Sequence, residues 1–132
     1  MLFRSEDLSD IVGITYLKNK GNQGFSNGNN LGVTRAVGEY VWFMNPDTTV
    51  DPETIAFMLE FMDKHPEVGV ATPKVLLQDG RLDKNCRRHF PTPLNSLKRF
   101  LGLEGYFINT PEDWETEVDS VMGSSMLVRR LV

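Results

Sequence analysis

Apolar positions along the chain fall into separated blocks whose spacing alternates between strand-like and helix-like. Val12 to Leu17 (VGITYL) is a short β-rich run. The segment that follows, KNKGNQGFSNGNN, is crowded with glycine and asparagine, which tolerate left-handed backbone and tight turns, so a strand leading into an elaborate loop is expected. From Asn30 onward, Leu31, Val33, Ala36 and Val37 have the spacing of a short helix that Gly38 is placed to end. Tyr40 to Met44 (YVWFM) is apolar without alternation, as a strand buried on both faces of a mainly parallel sheet would be, and it stops abruptly at Asn45-Pro46-Asp47-Thr48.

The next block is punctuated more sharply. Asp51 is a helix cap, Pro52 suits the first turn, Ile55, Met58, Leu59 and Met62 line one face, and His65-Pro66 is a stop. Val68 to Thr72 reads as another buried strand. Strand, helix, strand in this rhythm implies a βαβ crossover and an α/β sheet. Asp79-Gly80, between Val75-Leu76-Leu77 and Arg81-Leu82, marks a hairpin turn. Lys84 to Asp113 is irregular, with a weak helix from Leu94 to Leu103, and reads as a mobile excursion over the sheet. Val118 to Val128 returns to strand-like composition, with Gly123 a bulge or a point of close backbone approach.

Composition changes this picture little. At 132 residues, 40% hydrophobic and 24% charged, one globular domain is expected. No apolar run reaches the roughly 18 residues of a spanning helix, and the opening MLFRSEDLSD carries acids where a secretory signal would continue apolar, so a cytoplasmic protein is expected. Cys86 is the single cysteine and has no partner for a disulfide or thiolate cluster. A net charge of -4 argues against a nucleic-acid partner. An anionic ligand would need local help from a metal or a few placed cations.

The candidate chemistry centres on Asp47, because ligands of open α/β sheets bind beyond the carboxyl ends of strands. A carboxylate there can hold Mg²⁺ or Mn²⁺, which bridges diphosphate oxygens and neutralises charge on a leaving nucleotide. The plainer reading is a turn residue, although Asp51 already supplies the helix cap. The loop from Asn22 to Asn30 could present N–H groups and amides to a base, ribose or phosphate, or could be a simple connection, with Phe25 a packing anchor. Gly24 and Gly28 fit neither a dinucleotide fingerprint nor a P-loop, and Pro52 and Met58 break the calcium-loop pattern that Asp47, Thr49 and Asp51 begin. His65 and His89 lack metal-site context. Arg87 and Arg88, with Lys84, are either a phosphate clamp or a solvated loop.

Taken together, N-x-G-F-x-x-G-N-N from Asn22, G-E-Y at Gly38, N-P-D-T at Asn45 and G-x-x-M-L-x-R-R from Gly123 resemble family 2 glycosyltransferases, particularly their rhamnosyltransferase-like branch. The resemblance covers nearly all the chain from Asn22 onward. It implies a GT-A fold, an α/β architecture with a mostly parallel sheet flanked by helices. It also implies inverting, metal-dependent transfer of a sugar, with rhamnose expected, from a dTDP- or UDP-sugar to a glycan or lipid-linked acceptor in polysaccharide biosynthesis. On that carry-over Asn45 and Asp47 match a DxD-like motif with Asp47 the Mg²⁺ or Mn²⁺ ligand, Gly24 and Asn30 line the donor nucleotide, and Gly123 lies beside the donor sugar.

The family's domain opens with a V-V-D-N-type strand that nothing before Val12 resembles, and continues past Arg130 to an acidic segment holding the general base. The expectation is therefore a single partial domain over 1–132. Its parts are a nucleotide-sugar-binding core over 12–83, an acceptor-side excursion over 84–117, and a strand over 118–132 leading to a base beyond Val132. An isolated fragment of that kind would be inactive and would pair its exposed sheet edges with another copy, whereas the enzyme would work at the inner face of a membrane. The alternative is a non-catalytic nucleotide-binding or interaction module of the same fold.

Overall fold

Asp51 starts the most sharply bounded element of the computed structural model, which describes residues 13–19, 21–103 and 107–130. Val12, Lys20, Glu104 to Tyr106 and the last two residues, on which parts of the expectations above fall, lie outside the described residues. The Asp51 carboxylate accepts from the Thr54 N–H at 2.7 Å and from the Thr54 hydroxyl at 2.8 Å, satisfying a donor that the first helical turn leaves unpaired. The helix runs Pro52–Lys64 and is closed by the His65 N–H on the Phe61 carbonyl, with Pro66 disfavouring any extension.

Of its expected apolar face, Met58 and Met62 are buried, whereas Ile55 and Leu59 remain more than a third exposed. Met58 and Met62 meet Leu127 of the sheet, and Tyr40, Trp42, Phe61, Val68 and Ala71 pack around them. Met62 has no exposed surface. Met62→Ala is expected to lower unfolding free energy by about 2–5 kcal/mol, read from thermal or denaturant melts.

The sheet has three strands in the order β1-β3-β2, where β1 is Tyr40–Met44, β2 is Val70–Ala71 and β3 is Ser125–Arg129. β1 and β2 flank the helix in sequence and run parallel to each other, as the strand-helix-strand rhythm predicts. They are not neighbours, because β3 lies between them and is antiparallel to both. Three expectations are corrected here. The run from Val68 to Thr72 forms ladder pairs only at Val70 and Ala71, and Pro73, which has no N–H, follows directly. The run from Val118 to Val128 becomes strand only at Ser125, because Gly123 and Ser124 turn the chain and Ser120 makes an isolated bridge to Arg88. The weak helix sits at Pro93–Phe100, capped by Thr92 on the Asn95 N–H.

The hairpin is as expected. Leu77 and Arg81 are joined by a backbone hydrogen bond, Gly80 donates to the Leu77 carbonyl, and Gly80 has φ +81°, the left-handed value glycine adopts at least cost.

The chain divides into two compact units, Met1–Val37 and Gly38–Val132, and the elements above belong to the second. In the first, the strand expected from Val12 to Leu17 is absent over 13–17. Among the described residues nothing pairs with this run, and a strand without a ladder partner leaves its N–H and C=O groups to water; Ile14 is half exposed. The glycine- and asparagine-rich segment holds another correction. Instead of continuing as loop to Asn30, it becomes helix at Gly24 and runs to Val33. Asn22 accepts from the Gly24 N–H at 3.0 Å, and Asn27 donates to the Gln23 carbonyl at 3.1 Å, so these short side chains serve the helix start. The helix ends at Thr34, whose hydroxyl donates to Leu31, four residues before Gly38. We label the helices α1 (Gly24–Val33), α2 (Pro52–Lys64) and α3 (Pro93–Phe100). Among the described residues no helix is long and apolar enough to cross a membrane.

Candidate functional site

The β1–β3 register ends with Met44 opposite Ser125, so the chain leaves β1 at Asn45 beside the point where it enters β3. Asn45 to Thr48 is a β-turn closed by the Thr48 N–H on the Asn45 carbonyl at 3.1 Å, with Pro46 at the position that prefers φ near −65°. No described residue other than glycine has positive φ, so Asp47 occupies the third position of a type I turn rather than type II.

Two further bonds fasten the turn. The Ser124 carbonyl accepts the Asn45 N–H at 3.0 Å and the Thr48 hydroxyl at 3.2 Å. Beneath it, Ser125 accepts from the Trp42 indole at 3.0 Å, and the Ser125 carbonyl accepts from the Thr72 hydroxyl at 2.7 Å.

Asp47 is thus held at the tip of a tethered turn beyond the carboxyl end of a strand. It is exposed, and its carboxylate has no hydrogen bond or ion pair among the described residues. Asn45, two residues before it, is half-buried. Gly123, expected as a bulge or a point of close backbone approach, lies in a turn with Ser124, whose carbonyl tethers the Asp47 turn. Ser124 Oγ is buried and lacks a partner among the described residues. Gly24 and Asn30 belong to the Met1–Val37 unit, at the first position and in the second turn of α1; Asn45, Asp47 and Gly123 belong to the other.

Of the basic excursion residues, Arg87 is engaged structurally. Arg87 donates to the carbonyls of Thr110, Pro111, Glu112 and Trp114 and to the Thr110 hydroxyl, at 2.7 to 3.3 Å. This removes Arg87 from the phosphate-clamp reading: its donors anchor the segment 110–114. Lys74 reinforces the anchor through Glu112 at 2.8 Å, and His89 holds Asp119 at 3.0 Å. Cys86 is buried.

Several carboxylates are held below their ordinary range. Thr54 N–H and hydroxyl do this for Asp51, Lys74 for Glu112, and His89 with the Phe90 N–H for Asp119. Their native forms are depressed relative to the unfolded chain, so the stability they contribute is present above the unfolded value near pH 4 and is lost as pH falls through the native values. Melting temperature is expected to hold from neutral pH to about 5 and to fall below about 4, measured by a pH series of thermal melts.

The family model for glycosyl transferase family 2 matches residues 5–130. The chain belongs to this family. Among its relatives are the poly-beta-1,6-N-acetyl-D-glucosamine synthase of Staphylococcus epidermidis, 31% identical over 67% of this chain and 22% of the relative, and the low-salt glycan biosynthesis hexosyltransferase Agl10 of Haloferax volcanii, 28% identical over 90% and 38%. A third is the minor teichoic acid biosynthesis protein GgaB of Bacillus subtilis, 35% identical over 52% and 8%. The chain thus spans well under half the length of these relatives. No solved structure matches it significantly.

Membership in family 2 carries the GT-A fold, and the helices and small sheet described above are the part of that α/β architecture seen here. In this glycosyltransferase chain, Thr48, Thr72 and Ser124 hold structural roles that their local sequence does not mark, and Arg87 anchors backbone where a phosphate clamp or a solvated loop was expected. Thr48 and Ser124 each stood inside a quoted motif, but their partnership joins positions far apart in the chain and left no local signal.

Proposed function

We propose that this glycosyltransferase chain contributes the donor site of an enzyme that transfers a sugar from a dTDP- or UDP-sugar to a glycan or lipid-linked acceptor, with inversion. Rhamnose is the sugar that the motif resemblance favours. The observation that carries the proposal is Asp47, an exposed carboxylate without a partner among the described residues, on a turn lashed to the entry of β3.

The residues fit a divalent cation of the kind that shares its ligands with substrate. Among the described residues no group of three or more His, Cys, Asp or Glu could hold a metal by itself. Mg²⁺ and Mn²⁺ sites in nucleotide enzymes commonly use one or two carboxylates, with phosphate oxygens and water completing the shell. Asp47 would be the protein ligand, with the Asn45 amide oxygen the nearest second donor in sequence. When bound, the ion neutralises charge on the departing diphosphate. The tether lowers the ordering cost of the turn on binding. Gly123 would let the donor sugar approach the backbone that carries this tether. A glycan acceptor is supported by what two relatives are named for, a glycan hexosyltransferase and a polysaccharide synthase.

Calorimetric titration of dTDP and UDP tests this reading. Binding is expected with Mn²⁺ and not with EDTA, and the preferred base indicates the sugar class. A folded protein that binds neither nucleotide overturns the donor-site assignment, and binding unchanged by EDTA overturns its metal.

A further inference from the structure

Within the Gly38–Val132 unit, an open groove of about 1300 Å³ runs between α2 and the segment 112–119, whose first residues Arg87 anchors. Two aromatic rings line it and remain largely exposed: Phe57 on α2 at 58% and Trp114 on the anchored segment at 66%. Rings of this size are ordinarily withdrawn from water or placed against a partner. Trp114 is not on a free loop. Its carbonyl accepts from Arg87 at 3.2 Å and its N–H bonds Pro111 at 3.1 Å, so its backbone is set before anything binds.

The unpaired carboxylates of the lining give it an excess of negative charge. Glu53, Glu115 and Glu117 are exposed, and their carboxylates have no partner among the described residues. The two permanent cations of the lining are engaged: Lys74 on Glu112 and Asp113, Arg87 on backbone carbonyls.

We infer that this groove binds a neutral glycan and discriminates against polyanionic ones. The C–H face of a pyranose ring carries slight positive charge and lies favourably against the negative face of an aromatic ring. Carboxylates accept hydrogen bonds from sugar hydroxyls, which need acceptors rather than compensating charge. A polyuronate or polyphosphate chain would bring like charge against Glu53, Glu115 and Glu117 with no free cation to meet it. That the bound glycan is the acceptor rests on the transfer reading above; the binding itself does not.

The test is titration of the whole chain with cellohexaose, chitohexaose and a rhamnan oligomer, and with a galacturonate oligomer of the same length, followed by calorimetry and tryptophan fluorescence. At least one neutral oligomer is expected to bind, with the galacturonate about tenfold weaker at low salt and the gap narrowing as salt screens the carboxylates. Trp114→Ala and Phe57→Ala are expected to weaken neutral binding about tenfold each with unchanged melting temperature, since both side chains are exposed. Glu115→Gln with Glu117→Gln is expected to raise galacturonate affinity and leave neutral affinity in place.

Galacturonate binding as tight as neutral binding, or aromatic variants that bind like the native chain, overturn the inference. Nucleotide binding without any neutral oligosaccharide binding overturns it while leaving the donor site standing. Oligosaccharide binding without nucleotide binding supports the groove and overturns the transfer reading, and binding of neither overturns both.

Discussion

Asp47→Ala is expected to lower affinity for a nucleoside diphosphate in the presence of Mn²⁺ by about a hundredfold or more, because partners that merely orient metal ligands already cost 10–100-fold when removed. Asp47→Asn should fare little better, since an amide oxygen keeps the shape but not the charge that a hard cation requires. The same variants should melt within about 0.5 kcal/mol of the native chain. The Asp47 carboxylate has no partner to lose among the described residues, and the turn is closed by backbone atoms and by Thr48 on Ser124. This pairing of outcomes separates two roles. A residue needed only for the turn would lower the melting temperature and leave nucleotide binding alone; a metal ligand does the reverse. Thr48→Val should lie between, keeping the carboxylate but loosening its tether.

The second large effect is on stability. Arg129, in β3, reaches under the end of α2 and donates to the carbonyls of Met62 at 2.6 Å and His65 at 3.3 Å, where a helix terminus leaves acceptors unpaired. It also donates to the Val68 carbonyl and, at 3.0 Å, to the Tyr40 hydroxyl, and its guanidinium lies 5.1 Å from the centre of the Tyr40 ring. Tyr40 in turn donates to Asp63 at 2.6 Å, and this bond is the main reason its hydroxyl holds its proton above the ordinary tyrosine range. One side chain, only 18% exposed, therefore joins α2, β1 and the approach to β2.

Arg129→Ala is expected to cost about 3 kcal/mol, because several acceptors lose a charged donor together. That lowers the melting temperature by on the order of 10 °C for a chain of this length. Arg129→Lys should recover less than half, since one ammonium cannot span positions that a guanidinium fork reaches at once. A change below about 1 kcal/mol in the alanine variant would show that water satisfies these carbonyls as well as Arg129 does.

β1, α2 and the Asp79-Gly80 hairpin were legible in the sequence because each is specified by residues a few positions apart. An unbroken apolar run, a capping aspartate with a proline behind it, and a glycine at a left-handed turn act through neighbours along the chain. The order of motifs, from the Asn22 segment to Gly123, was likewise enough to point to family 2 before any geometry was described. Local signals misled where pairing decides the outcome. Val12 to Leu17 has strand composition, but a strand exists only as one side of a ladder. The asparagines from Asn22 to Asn30 could serve a loop or a helix start, and their bonds to Gly24 and Gln23 favour the helix.

By itself, then, the sequence determined the α/β class, the capped helix and the carboxylate at the end of β1, since all three arise from short-range sterics and burial pattern. The tertiary structure alone decided that β3 enters between β1 and β2, that Ser124 ties down the turn bearing Asp47, and that Arg87 anchors a segment instead of clamping a phosphate. Each of these joins residues distant in sequence, and a hydrogen bond of that kind depends on where the packed core brings its two ends, which no stretch of neighbouring residues encodes.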